Sequence, residues 1–231
     1  MRSEVRVVDD VPGAFAAAVI DAYSTHLDPV FTMALSGGAT ARRCYRRLAE
    51  ESVGRVDWSR VHLYWGDERC VPADSADSNY RLAREALIDR VGPVGAVYPM
   101  ECDVGAAAYD TLLRRLDHID VIHLGLGVDG HTASLFPESP ALLADPDWLA
   151  VMNVDPLGNN HHRRMTMTFT ALSRGRLVVF TVEGETKRDA FGRVHDGDLT
   201  APAANVRADR VLWLADPAAA RHDAIARGAP S

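Results

Sequence analysis

Short apolar runs and longer amphipathic segments alternate along the whole chain, and this alternation constrains its fold more than any other feature. Residues 5–8, 30–35, 61–65, 119–124, 149–154, 164–169, 177–182 and 211–214 read as strands. Between them, residues 12–27, 40–51, 79–90, 104–117, 185–195 and 217–226 carry helical periodicity, with Pro12 suited to a first turn and Ser78 to a cap. Strand–helix alternation implies an α/β fold, an open, mostly parallel sheet flanked by helices on both faces in the Rossmann-like manner. The run over 119–124 is apolar almost throughout, as a strand covered on both faces requires. In such folds ligands sit beyond the carboxyl ends of the strands. Four polar or glycine-rich segments, 36–40, 66–69, 125–131 and 184–187, follow predicted strands, so they are expected to converge on one edge of the sheet. No repeat or linker divides the 231 residues, which read as one domain over 1–231.

A formal net charge of −7 argues against nucleic acid or an anionic membrane as the main partner. A small anion needs only a few local cations and backbone N–H groups, so it is not excluded. The three cysteines, Cys44, Cys70 and Cys102, are odd in number and form no Cys-x-x-Cys pair, which argues against a disulfide framework or a structural zinc site. With no apolar leader and no run long enough to span a bilayer, a reducing cytoplasmic location is expected. Lys187 is the sole lysine; every other basic residue among the 25 is arginine. Either one lysine has survived by chance or an ammonium is wanted at that position.

Candidate chemistry concentrates in the four convergent segments. In Ser36-Gly37-Gly38-Ala39-Thr40 two glycines free the backbone to aim N–H groups at one point, beside the positive end of a helix. Gly37, Gly38 and Thr40 are therefore candidate phosphate contacts, although many such turns are only turns. The segment lacks a P-loop lysine and the third glycine of a dinucleotide fingerprint. Asp67-Glu68-Arg69 is either a solvated turn or a site in which Arg69 meets an anion and Asp67 orients it or binds hydroxyls. In Asp129-Gly130-His131 the imidazole can take a proton from water, with Asp129 fixing its tautomer. No Gly-x-Ser-x-Gly motif supplies a serine nucleophile, so direct attack by water is favoured over an acyl-enzyme. Arg164 and Lys187 are either surface charges or, if their loops face the site, phosphate ligands. His161 and His162 adjoin Asn159 and Asn160 without an acidic partner at metal-site spacing and read as a polar loop; Cys70 reads as a bystander thiol.

Several of these segments together resemble the 6-phosphogluconolactonases: Gly66-Asp67-Glu68-Arg69 with Val71-Pro72 and Ser78-Asn79-Tyr80; Gly125-Leu126-Gly127-Val128-Asp129-Gly130-His131-Thr132-Ala133-Ser134-Leu135-Phe136-Pro137; Arg164-Met165-Thr166-Met167-Thr168; Gly184-Glu185-Thr186-Lys187; and Leu212-Trp213-Leu214-Ala215-Asp216. The resemblance covers nearly the whole chain. It implies the fold of the sugar-phosphate isomerases and deaminases and lactone hydrolysis in the oxidative pentose phosphate pathway. It also implies no cofactor and a small phosphosugar lactone as the partner; no metal and a monomer are expected, although the sequence itself does not reveal the oligomeric state. By the same resemblance His131 is the general base, Asp129 stands beside it, and Arg69, Arg164 and Lys187 bind phosphate or the reacting carboxyl group. Two departures mark this sequence: Ala41 stands where the family usually has proline, and the 157–162 loop is rich in Asn and His. A glucosamine-6-phosphate deaminase is the enzymatic rival; Arg69, and Ala133-Ser134-Leu135 after the Asp-Gly-His, depart from its Asp-Glu-Tyr and Phe-Asn-Glu type segments. A non-catalytic phosphosugar sensor would need cations but no Asp–His pair.

Overall fold

The computed structural model describes residues 2–220, and two sheets organise them. The chain runs β1 (Arg2–Val7), α1 (Val11–Ser24), β2 (Phe31–Leu35), α2 (Ala39–Glu51), β3 (Val61–Trp65), β4 (Asp67–Arg69) and α3 (Asn79–Ala83). A π-helical stretch over Arg84–Ile88 leads to α4 (Asp89–Val91), β5 (Ala96–Val97), α5 (Ala106–Leu113) and β6 (Ile119–Gly125). β7 (Ala150–Asn153), β8 (Arg164–Met167), α6 (Phe169–Leu172), β9 (Gly175–Val182), α7 (Arg188–His195) and β10 (Arg210–Ala215) complete it.

The larger sheet has seven parallel strands in the order β1-β10-β9-β6-β2-β3-β5. From β2 the chain steps outward through β3 to β5, then returns to β6 and steps the other way. β2 and β6 are thus neighbours whose onward connections diverge, and a crevice opens beyond their carboxyl ends. The central strands are covered on both faces: every residue of β2 is buried, as are 119–124 of β6. Helix α1 lies on this sheet and packs on α2; Asp10 caps α1 by accepting from the Gly13 N–H, and Pro12 occupies its first turn.

The second sheet, β4-β8-β7, is antiparallel and was not foreseen as a sheet. β4 is three charged residues long, too short for any periodicity to announce it. It places Asp67 opposite Thr166 and Arg69 opposite Arg164, side chains of each pair on one face.

Several predicted boundaries move. The helix expected over 79–90 is interrupted by the π-helical stretch, and that over 104–117 shrinks to Ala106–Leu113. The strand expected over 164–169 ends at Met167, because Thr168 turns to cap α6 through its hydroxyl, which accepts from the Ala171 N–H. The helix expected over 185–195 begins as a 3-10 turn, Glu185–Lys187. Residues 217–219 of the expected last helix form a turn held by Asp216, and 221–226 lie outside the described residues. The expectation of unlinked thiols is also corrected. Cys70 and Cys102, 32 residues apart, form a disulfide joining the segment after β4 to the segment after β5. Spacing motifs did not reveal a bond made by tertiary proximity alone, and the cysteine count therefore carries no information on compartment. Cys44 is free and buried.

Candidate active site

The crevice beyond β2 and β6 holds a cavity of about 400 Å³, of the size that encloses a small ligand. Ser36, Gly37 and Gly38 line it from the end of β2, Asp67 and Arg69 from β4, Gly125 to Asp129 and His131 from the end of β6, and Lys187 from the turn before α7. All four strand-end segments thus contribute, as the alternation of elements predicts.

The backbone of the first segment is shaped by contact. Gly37 has no room for a side chain, because the Asn79 amide fills the space where a Cβ would stand. Gly38 adopts φ +96° as the N-cap of α2, a conformation suited to glycine. Having no side chain, it cannot cap the helix, so the first N–H groups of α2 keep no side-chain acceptor.

The turn after β6 folds on itself. Gly127 N–H donates to the His131 carbonyl at 2.8 Å, and the Thr132 hydroxyl donates to the Gly125 carbonyl at 2.9 Å. Asp129 Oδ1 lies 2.6 Å from His131 Nδ1 and also accepts the His131 backbone N–H at 3.0 Å. A carboxylate only accepts, so Nδ1 carries the proton and Nε2 is left as the basic nitrogen. Burial opposes ionisation of Asp129, but the hydrogen bond and charge of His131 prevail and hold its carboxyl below the usual range. The ring also makes a T-shaped contact with Phe136, with centroids 5.0 Å apart. Ala133, next to this turn and lining the cavity, holds φ +48°, a rare conformation for a residue with a Cβ.

Three cations belong to these segments and to β8. Lys187 is half-buried, and burial lowers its pKa against the opposing pull of Asp129. Arg69 donates from Nη1 to the Asp77 carbonyl at 2.6 Å, while its Nε has no partner. Arg164, 6% exposed, also leaves Nε unpartnered. Burial lowers its pKa, with Asp67 pulling the other way. Among the described residues none of these three cations forms an ion pair, and Arg69 and Arg164 face each other across the β4–β8 ladder, an arrangement that invites an anion.

Arg164 and Thr40 are not among the residues that line the cavity; the Thr40 hydroxyl accepts from Arg43. Asp67 faces the cavity but makes no bond to Arg69: its Oδ2 accepts from Ser134 Oγ at 2.6 Å and its Oδ1 from Asn79 Nδ2 at 3.3 Å. Glu68, between them, is buried and accepts the backbone N–H groups of Arg69, Asn79 and Tyr80, each at 2.7 Å. It therefore ties β4 to the start of α3. Burial raises its pKa despite these donors.

Sequence reasoning passed over Ser36, Asn79, Asn159 and Asn160, all of which line the cavity. Asn79 was noted only beside a helix cap. The asparagines belong to the unusual 157–162 loop, which is wound around Asp155: its Oδ1 accepts the Leu157 N–H at 2.9 Å, and its Oδ2 accepts the backbone N–H and Nδ2 of Asn160 at 3.0 and 2.8 Å. No metal-site spacing was found in this loop, and among the described residues no cluster of His, Cys, Asp or Glu is arranged to hold a metal ion.

Residues 3–213 match the family described as glucosamine-6-phosphate isomerases/6-phosphogluconolactonase. The chain is 36% identical to a 6-phosphogluconolactonase from Synechocystis sp., with 80% of this chain and 81% of the relative aligned. The crystal structure of 6-phosphogluconolactonase from Thermotoga maritima superposes with a TM-score of 0.81 at 28% identity, covering 93% of this chain and all of that one. A monomeric glucosamine-6-phosphate deaminase shares the fold at a TM-score of 0.78 and 16% identity, covering 95% of this chain and 98% of its own.

Proposed function

The chain belongs to the glucosamine-6-phosphate isomerase/6-phosphogluconolactonase family, and from that membership we propose that it hydrolyses 6-phospho-D-glucono-1,5-lactone to 6-phosphogluconate, with His131 as general base on water. The observation that carries this reading is the Asp129–His131 pair in one cavity with Lys187 and Arg69, neither of which forms an ion pair among the described residues. A deaminase shares the fold, but curated relatives from Synechocystis, Nostoc and Mycobacterium bovis at 35–36% identity bear the lactonase name.

In the proposed reaction the phosphate lies against the uncapped start of α2, where backbone N–H groups and the helix dipole favour an anion, and against Lys187. His131 Nε2 takes a proton from water as the water oxygen attacks the lactone carbonyl carbon. The charge that develops on the carbonyl oxygen is met by Arg69. The tetrahedral centre collapses by breaking the bond to the ring oxygen, which receives the proton from the imidazolium. Asp129 stabilises that imidazolium and keeps the tautomer fixed. The lactone opens slowly unaided, so one base and accurate placement suffice.

The test generates fresh phosphosugar lactone, adds the purified chain with a chelator, and follows acid release against the spontaneous rate. Acceleration is expected, and His131→Ala is expected to lower kcat roughly 10²–10⁴-fold with a smaller change in KM. No acceleration by the wild type would dismiss the activity; wild-type turnover in His131→Ala would dismiss the base.

A further inference from the structure

Behind the Gly37-Gly38 segment lies a buried hydrogen-bond chain that the reaction above does not use. Tyr45, one and a half turns inside α2, has no exposed surface, and its hydroxyl reaches back to the residue that begins the loop. The hydroxyl oxygen accepts the Ser36 N–H at 2.6 Å and lies 3.1 Å from the Ser36 carbonyl. It also lies 3.0 Å from Nδ1 of His123, a fully buried residue of β6, whose Nε2 is 2.9 Å from the hydroxyl of Thr181 on β9.

Counting protons leaves one arrangement that satisfies every member. The Tyr45 hydroxyl has a single hydrogen. If it goes to His123, the Ser36 carbonyl loses its donor; if it goes to the Ser36 carbonyl, His123 Nδ1 must itself be the donor to Tyr45. Nε2 then accepts, and the Thr181 hydroxyl donates to it. The tyrosine oxygen thus accepts from the Ser36 N–H and from His123 while donating to the Ser36 carbonyl. Both polar groups of one residue's backbone are held by one side-chain atom. Burial pushes the His123 imidazole down to about 3, so it stays neutral and the arrangement persists at any working pH.

We propose that Tyr45, fixed by His123 and Thr181, is a positioning residue for phosphate recognition: it sets the backbone of Ser36 so that the following Gly37, Gly38 and the start of α2 present their N–H groups to the anion. The neighbouring restraint is a separate one, since the Asn79 amide occupies the space where a Gly37 Cβ would stand. Ser36 itself lines the cavity, so a shift of its peptide is transmitted directly to the anion site. This inference rests on the phosphosugar reading above and extends it to residues that touch no substrate.

The experiment compares wild type with Tyr45→Phe, Thr181→Val and Thr181→Ser. It reads KM and kcat on fresh 6-phosphogluconolactone, competitive inhibition by inorganic phosphate, and thermal unfolding. Tyr45→Phe is expected to raise KM and the phosphate inhibition constant together by about tenfold, the worth of one well-placed hydrogen bond, with kcat within about twofold. Thr181→Val, which removes the donor to His123, is expected to move both constants about threefold in the same direction, and Thr181→Ser to restore them. A loss of fold alone would lower the unfolding temperature and active fraction while leaving the phosphate constant where it was. A folded Tyr45→Phe protein with an unchanged phosphate constant overturns the proposal. If that variant does not fold, an unchanged constant in Thr181→Val does so instead. Failure of the underlying reading shows earlier, in the wild type, as no lactone turnover or no competition by phosphate, and the proposal then falls with it.

Discussion

Gly127→Ala tests whether the position of the imidazole, rather than its mere presence, sets the rate. A Cβ at residue 127 would stand 2.6 Å from Asp129 Oδ1 and nearer still to Nδ1 and Cε1 of His131, where ordinary contact begins at 3.4 Å. The carboxylate must retreat by about 0.8 Å and the ring by more, on the order of 1 Å, a displacement that costs an enzyme roughly 10²-fold. Gly127 does not sit at positive φ, so alanine suits its backbone, and the 2.8 Å bond from its N–H to the His131 carbonyl can persist. The variant should therefore fold, with kcat reduced about 10²-fold and KM changed little. The assay is acid release from fresh lactone, made alongside His131→Ala and the double variant. Because both substitutions act through one ring, the double variant should be no slower than His131→Ala alone, a non-additivity that unrelated lesions would not show. A folded Gly127→Ala enzyme with kcat within about threefold of wild type would refute the geometric argument, and full additivity would separate the glycine from the histidine.

Lys187 is held below the ordinary lysine range by burial, so in the free enzyme its charge is lost at lower pH than usual. Binding that needs the ammonium is present below that depressed pKa and fades as pH rises through it. kcat/KM for the phosphorylated lactone should then show an alkaline fall beginning below about pH 10.4. Lys187→Met should raise KM and abolish that fall; its persistence would assign the fall to another group. The Cys70–Cys102 disulfide closes a loop of 32 residues, so reduction, or Cys70→Ser with Cys102→Ser, should cost about 3–4 kcal/mol, seen as a lower midpoint in chemical unfolding. An unchanged midpoint in dithiothreitol would show that the bond constrains nothing in the unfolded chain.

Features governed by local periodicity were legible in the sequence, and features governed by tertiary contact were not. The strand over 61–65 was read to the residue because it is an apolar run flanked by turn signals. The convergence of the four polar segments followed from a rule about parallel sheets, and needed no side-chain information. Asp129 and His131 were legible because two residues of separation within a tight turn allow little but mutual contact. The burial of Arg164 opposite Arg69 was hidden, since it depends on β8 joining a second sheet whose partner strand has only three residues. The disulfide was hidden for the same reason: nothing local to Cys70 or Cys102 brings the segments after β4 and β5 together. Asn79 hid behind a cap it does not make, since the Ser78 hydroxyl accepts from Arg81 while the Asn79 amide braces Gly37 and Asp67.

The two sheets divide the labour of the site in a way that follows from their hydrogen bonding. Parallel strands end in glycine turns and helix starts, which supply backbone N–H groups and a helix dipole but place few charged side chains. The carboxyl edge of the large sheet accordingly contributes the Gly37-Gly38 backbone and the compact Asp129–His131 turn. An antiparallel ladder sets side chains directly opposite one another, and β4 and β8 use it to bring Arg69 and Arg164 into register. Two guanidinium groups so placed repel, and the sheet holds them because Glu68, on the other face, binds three backbone N–H groups and fixes β4 to α3. Ser134 and Asn79 join the two systems, for both hold Asp67 at the seam between β4 and the cavity. The charge of Arg69 thus adds to burial in lowering the Arg164 pKa, while Asp67, held at the same seam, pulls the other way.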